Sequence, residues 1–306
     1  MQTTHHLLMV RPVRFGFNEE TATNNAFQQK SESAEEALRT QRQAVNEFDA
    51  YVALLRENGV DVDVLQDTPE PFTPDSIFPN NCFSTHCEGE RRTLVLYPMF
   101  ANNRRLERDK LLQMINLQDY DEVINLTRYE KDHLYLEGTG SLVLDREHHI
   151  AYACVSPRTH EKVVREWARL LGYECLLFDS TDENDIPIYH TNVMMHVGTG
   201  YAVVCLDSIS DPSKRELLRQ TLQRTGKEIV EISYEQMNHF AGNMLEVNNR
   251  DGEQLLVMSA TARAVLTPTQ LSLLEKYVRI ISPDIHAIET AGGGSARCML
   301  AEIFEK

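Results

Sequence analysis

Short runs of alternating apolar and polar residues, each followed by a helical stripe and another short run, recur along this chain. "SLVLD" (141–145) and "IAYACVS" (150–156) flank the polar turn "REHH" and predict a β-hairpin. "HEKVVREWARLLG" then places apolar residues three and four apart and stops at Gly172, so it predicts an amphipathic helix, and "ECLLF" predicts a short strand. The same order returns in "NVMMHV", "YAVVCL", "SKRELLRQTLQRTG" and "EIVEI". It returns again in "NMLEV", "QLLVMSA", the helix "PTQLSLLEKYV" and the strand "DIHAIE". An earlier copy runs through "CFSTH", "TLVLYP", a helix near 104–117 and "DEVINL".

A fifth unit is incomplete at the N-terminal end. "HLLMVRP", the long helix "AEEALRTQRQAVNEFDAYVALLRENG" and "VDVLQ" lack a first strand, which the segment around "CMLAEIF" at the other end can supply. Pairing these two ends predicts an α/β fold of five hairpin-helix-strand units, a five-bladed propeller with pseudo-fivefold symmetry in one domain spanning residues 1–306. Closure of the ring would leave no open sheet edge between the chain ends.

The phase of the repeat carries the chemistry. The polar residue at or just before the first strand of each unit is Asn81, Glu137, His190, Asn243 and Cys298 in turn, at intervals of 53 to 56 residues. Equivalent places in a pseudo-fivefold ring converge on its axis, so a carboxylate, an imidazole and a thiol distant in sequence would meet there. A cysteine becomes a nucleophile where its surroundings favour the thiolate, a histidine moves protons near neutral pH, and a carboxylate orients and charge-stabilises that imidazole. Gly292, Gly293 and Gly294 just before Cys298 would let the chain turn sharply and let a substrate approach the backbone. Taken singly, Cys298 reads as a small buried hydrophobe, His190 as a structural residue and Glu137 as a loop charge; their shared phase sets them apart.

Composition narrows the partners. The 306 residues are 42% hydrophobic, enough for a sizeable core, and their formal net charge of −16 repels nucleic acid and anionic membrane, with no segregated basic patch to offset it. No stretch approaches the ~18 apolar residues of a membrane helix, and the N-terminus reads as a strand, not a signal peptide. The cysteines at 82, 87, 154, 175, 205 and 298 form no CxxC pairs, so a cytoplasmic protein with reduced thiols is expected. A metal site on His190 and His196 lacks a third ligand at suitable spacing, so no metal is expected. Homo-oligomerisation stays open, and a non-catalytic propeller serving as a binding platform is the alternative of a different class.

"PDSIFPNN" (74–81), "LEGTGS" (136–141), "HTN" (190–192) and "GGGSARCM" (292–299) resemble, in order and spacing, the motifs of the amidinotransferase or pentein superfamily. That superfamily includes arginine deiminases, dimethylarginine dimethylaminohydrolases and glycine amidinotransferases. The resemblance spans nearly the whole chain and implies the propeller, no cofactor, a small-molecule amino-acid substrate and a covalent cysteine mechanism. By resemblance Cys298 is the nucleophile, His190 the general acid/base, Glu137 its acidic partner and Asp75 a substrate-binding residue. Arg158, and Arg105 with Arg104 equally available beside it, stand where relatives carry arginines that grip a substrate carboxylate.

Two departures bear on the substrate. Guanidine-acting relatives usually have aspartate where this chain has Asn81 and Asn192. Aspartate offers a cationic guanidinium only acceptors and a negative charge, whereas asparagine also donates and carries no charge. A neutral ureido group needs such a donor for its carbonyl oxygen, and buried anions facing that oxygen would cost several kcal/mol. The pattern therefore resembles the citrulline-hydrolase branch, with citrulline as source of ornithine, carbon dioxide and ammonia. A guanidine hydrolase, either an arginine deiminase or a dimethylarginine hydrolase, is the alternative.

Overall fold

The computed structural model describes residues 1–305. Fifteen strands alternate with helices: β1 (His6–Arg11), β2 (Asp61–Gln66), β3 (Phe83–Glu88), β4 (Arg91–Leu96), β5 (Glu122–Asn125), β6 (Val143–Asp145), β7 (Ile150–Cys154) and β8 (Glu174–Phe178) come first. They continue as β9 (Met195–Val197), β10 (Tyr201–Val204), β11 (Glu228–Glu231), β12 (Leu245–Asn248), β13 (Gln254–Val257), β14 (Arg279–Ile281) and β15 (Ala301–Glu302). They form five separate sheets of three strands each. In four of them a hairpin is followed by a helical crossover to a parallel third strand, as in β6–β7 antiparallel and β7–β8 parallel. The fifth joins the two ends of the chain: Leu7 faces Glu302 and Leu8 faces Ala301 in an antiparallel pair, while β1 runs parallel to β2.

The local signals explain most of these elements. The helix Glu161–Leu171 buries Val163, Val164, Trp167 and Ala168 on one face and ends where Gly172 adopts φ +71°. Glycine accepts that left-handed turn without a Cβ clash. Pro212 occupies the first turn of Pro212–Arg224, whose cap is the Asp211 carboxylate, accepting from Ser213 N and Lys214 N. Trp167 and its neighbours pack on Leu144, Ala151 and Ala153 of the adjoining sheet, an apolar layer between helix and strands.

Two predicted elements differ. The helix expected near 104–117 is two short pieces, Asn102–Arg105 and Glu107–Leu111. Its buried stripe is charged: Arg104 donates to Phe78 O, and Lys110 donates to Asp67, Thr73, Thr68 O and Pro71 O. Bonds to a loop replace the continuous apolar face that would brace a longer helix. "DIHAIE" is not a strand; the third strand of its sheet is Arg279–Ile281, and a helix spans His286–Gly292. Pro283 follows that strand, and the buried Glu47 carboxylate accepts from Ala287 N and Ile288 N, both at 3.1 Å, satisfying the free N–H groups of the helix start.

Glu47 belongs to the long helix Ala34–Glu57, capped by Ser33 and buried along Ala44, Phe48, Tyr51 and Leu55. Tyr51 of the same helix donates its hydroxyl to Ala296 O at 3.2 Å. The N-terminal helix thus clamps both the helix and the turn that lead into Cys298. No described helix is long and apolar enough to cross a membrane.

Candidate active site

Short turns precede β3, β6, β9 and β15, and they carry four of the repeat-phase residues. Asn81 ends the 3-10 turn Pro79–Asn81, Glu137 and His190 cap Gly138–Ser141 and Thr191–Met194, and Cys298 lies inside Ala296–Met299. All are buried. Side chains from different sheets consequently bond to one another within a single cluster.

Glu137 is fully enclosed; its Oε2 lies 2.8 Å from His190 Nε2 and 3.5 Å from Arg158 Nη1, and its Oε1 accepts from Phe100 N at 2.9 Å. Burial alone would raise the carboxyl, but Arg158, His190 and Arg104 together hold it at about 2. Burial pushes the His190 imidazole down to about 4 against the pull of Glu137. The pair is therefore an anion beside a neutral ring at pH 7. The carboxylate can only accept, so Nε2 carries the proton and Nδ1 is left as the basic nitrogen. A Cβ on Gly140 would come within 2.7 Å of that Nδ1 and 2.3 Å of Asn81 Nδ2, so only glycine leaves both uncovered.

The thiol is held by amides. Asn243 Nδ2 donates to Cys298 Sγ at 3.3 Å and Asn192 Nδ2 at 3.6 Å. Arg297 N donates to Asn243 Oδ1 at 3.1 Å, which fixes the Asn243 amide beside the sulfur, its Nδ2 at 3.3 Å and its Oδ1 at 3.6 Å from Sγ. Asn243 shares the 53-to-56-residue phase yet carried no assigned role from sequence; the phase itself was the available signal. Tyr189 donates its hydroxyl to Gly293 O at 2.9 Å, in the loop before Cys298, and its ring centroid lies 4.8 Å from that of His190.

The remaining predicted residues divide. Asp75 is buried; its Oδ2 accepts from Asn18 at 2.8 Å and Thr21 at 3.0 Å, and its Oδ1 has no partner. Burial raises its carboxyl, with Arg104 and Asn18 opposing. Asn81 Oδ1 accepts from Arg104 Nη1 at 2.8 Å, so Arg104 is the arginine that reaches the cluster. Arg105 turns away, donating to Met99 O at 2.9 Å and Phe100 O at 3.3 Å. The two diverge because adjacent helical side chains point about 100° apart. Arg158 is enclosed under the Tyr189 ring, with its guanidinium carbon 4.8 Å from the ring centroid.

The glycines before Cys298 serve the protein's own packing. A Cβ on Gly292 or Gly294 would run into the Phe78 ring at 2.7 or 2.9 Å, and Gly293, at φ +64°, ends the His286–Gly292 helix facing Asn25. The expected close approach is thus by Phe78 and by the 12–33 segment. That segment also supplies Asn18, Thr21 and Asn24 to the site, contacts that its irregular polarity did not foretell. Among the described residues no group of three or more His, Cys, Asp or Glu side chains is placed to hold a metal.

Comparison with known proteins follows the same lines. The fold is similar to the apo structure of ArgZ, an arginine dihydrolase from the ornithine-ammonia cycle in cyanobacteria, with TM-score 0.75 and 19% identity over 98% of this chain and 41% of that one. It is similar to AgrE in complex with L-arginine, with TM-score 0.74 and 18% identity over 98% of this chain and 40% of that one. A dimethylarginine dimethylaminohydrolase adduct with 4-chloro-2-hydroxymethylpyridine gives TM-score 0.65 and 16% identity over 98% and 100% of the two chains. The chain thus spans well under half the length of full ArgZ, and matches 98% of its N-terminal domain. No curated protein matches it by sequence. Residues 11–305 match the family described as N,N dimethylarginine dimethylhydrolase, eukaryotic, and the chain belongs to that family, within the amidinotransferase or pentein superfamily of guanidine-modifying enzymes.

Proposed function

We propose that the protein is a cysteine-dependent hydrolase that cleaves a C–N bond at the terminal carbon of an arginine-like amino acid, the five sheets being blades of one propeller whose axis holds the site. The observation that carries this reading is the buried Glu137–His190 pair, 2.8 Å apart, in one cluster with an amide-held thiol. Cys298 adds to the terminal carbon while His190 Nδ1 takes the thiol proton and passes it to the departing nitrogen. The C–N bond breaks, and water, giving a proton to the same imidazole, adds to the carbon; the C–S bond then breaks and the imidazole returns that proton to the sulfur. Amide N–H groups and the turn backbone offset charge on the tetrahedral intermediates. No metal or cofactor is required by these steps.

Arginine is the first substrate of this reading. Relatives handling arginine support it, as does Asp75 Oδ1, a buried acceptor without a partner that suits a cationic N–H. A second reading, citrulline to ornithine, carbon dioxide and ammonia through an S-carbamoyl enzyme, is favoured by Asn81 and Asn192, which offer donors without charge. Incubation with arginine, dimethylarginine and citrulline, scoring citrulline, ornithine and ammonia, tests both. Citrulline accumulating from arginine and going no further would remove the second reading; no turnover of any of the three would remove the first as well.

A further inference from the structure

The guanidinium of Arg158 is the group that the resemblance assigns to a substrate carboxylate, and its donors are already engaged. Nε donates to Asn24 Oδ1 at 2.7 Å, and Nη2 bonds the same oxygen. Nη2 also donates to Thr21 O at 2.9 Å, and Nη1 faces Glu137 at 3.5 Å. One amide oxygen taking two N–H groups of a guanidinium stands where an oxygen of a bound carboxylate would stand. Arg158 is 2% exposed, whereas Asn24 is half-buried in a turn flanked by the exposed Thr23.

We propose that Asn24 is a specificity-determining residue: its side-chain amide occupies the Arg158 fork, and only a ligand whose carboxylate displaces it gains full access to the site. This rests on the reading that the substrate is an arginine-like amino acid. The selection follows from charge. A hydrogen bond from guanidinium to carboxylate is roughly twice as strong as one between neutral partners and stronger than the existing bond to a neutral amide, so an α-carboxylate wins the exchange. The corresponding amine without a carboxylate has nothing to exchange and leaves the amide in place.

The neighbouring structure allows a local displacement. Asn18 and Thr21 stay anchored on Asp75 Oδ2 at 2.8 and 3.0 Å, so the segment need not detach as a whole. Asn24 also lines a cavity of about 440 Å³ beside Phe27 and Tyr189, which gives the released amide room to swing.

The experiment measures binding by calorimetry in the Cys298→Ser background, with L-arginine, citrulline and agmatine, the last being the same guanidine without the carboxylate. Asn24→Ala is expected to tighten arginine or citrulline by roughly three- to tenfold and leave agmatine unchanged; in the active enzyme the change falls on KM. Asn24→Asp, which places a permanent carboxylate on the fork, is expected to weaken the same amino acids by about tenfold or more. Weaker amino-acid binding in Asn24→Ala, or equal shifts for agmatine and the amino acids, overturns the proposal, as does unaltered binding in both variants. Turnover by the wild type separates this from the hydrolase reading. Turnover without tightening in Asn24→Ala defeats the displacement alone, and tightening without wild-type turnover upholds it while the hydrolase reading falls.

Discussion

Two buried polar clusters bring together side chains from different parts of the fold, and they differ in the groups they assemble. In one, Glu137, His190, Asn192, Asn243 and Cys298 gather from different sheets. In the other, Arg146, His196, Glu246, Arg297 and Glu302 surround a cavity of about 30 Å³. The second is knit by ion pairs and has almost no space: Arg297 pairs with Glu302 at 2.7 Å, Arg146 approaches Glu302 at 3.5 Å, and Glu246 accepts from Thr199 N at 3.0 Å, while His196 Nε2 and Arg146 Nη2 have no hydrogen-bond partner. Such a void has room for a water and none for an amino acid. The first cluster keeps a basic ring nitrogen, a thiol and the unpartnered oxygen Asn192 Oδ1. Buried polarity and unpartnered atoms are common to both; what sets the first apart is a thiol in the same cluster as a histidine paired with a carboxylate.

The comparison is broken most directly at the thiol. Cys298→Ser is expected to lower kcat on whichever substrate is turned over by about 10³-fold or more, with the far-ultraviolet circular dichroism unchanged. Activity retained within tenfold would remove the distinction between the clusters.

Next in size is a matched pair of carboxylates. Glu302→Gln removes the counter-charge of the buried Arg297 and Arg146 and is expected to cost about 3–5 kcal/mol in denaturant unfolding while leaving kcat within about threefold. Glu137→Gln should lower kcat by about 10²-fold or more in addition to destabilising, because the neutral amide neither orients His190 nor supports its protonated form. If both variants affect kcat alike, the two clusters are functionally continuous.

Asn243→Ala sharpens the description of the first cluster. Loss of the amide that fixes the thiol is expected to reduce kcat by about 10- to 100-fold, with a smaller change in KM. Burst kinetics with a chromogenic thiol reagent at Cys298 should slow in parallel.

The smallest effect concerns pH and the second cluster. Burial holds the His196 imidazole at about 3, below its ordinary value of 6.5, with Arg297 and Lys227 adding to the depression. Below pH 6.5 the unfolded chain takes up that proton before the folded one does, so the contribution is complete above pH 6.5 and is lost as pH falls toward 3. His196→Gln is expected to flatten the stability profile by about 2 kcal/mol between pH 7 and 5, read from urea midpoints at each pH. An unchanged slope would show that His196 is not held neutral.

Much of this architecture is visible in the residue pattern for identifiable reasons. Two strands of a hairpin share a period of two and a polar turn, so "SLVLD" and "IAYACVS" declare β6 and β7 from nearest-neighbour information. The phase of Asn81, Glu137, His190, Asn243 and Cys298 is a property of numbering, and a repeated fold turns numbering into proximity. Three things escaped that logic. The 102–111 stretch has charged inward positions because its partner is a loop. The Glu47 carboxylate, more than 200 residues away in sequence, sets the His286–Gly292 helix start. The 12–33 segment has no period to read, yet its asparagines and threonine reach Asp75 and Arg158.

The amino-acid sequence by itself determined the repeating unit, the pairing of the chain ends and which residues share equivalent places, because those follow from local periodicity and spacing. Tertiary structure alone decided that Arg104 and not Arg105 meets Asn81, that Asn243 faces the sulfur, that Phe78 fills the space above the glycines and that Asn24 holds Arg158. Each of those outcomes depends on side-chain direction and on partners distant along the chain, and neither is encoded in a residue's immediate neighbours.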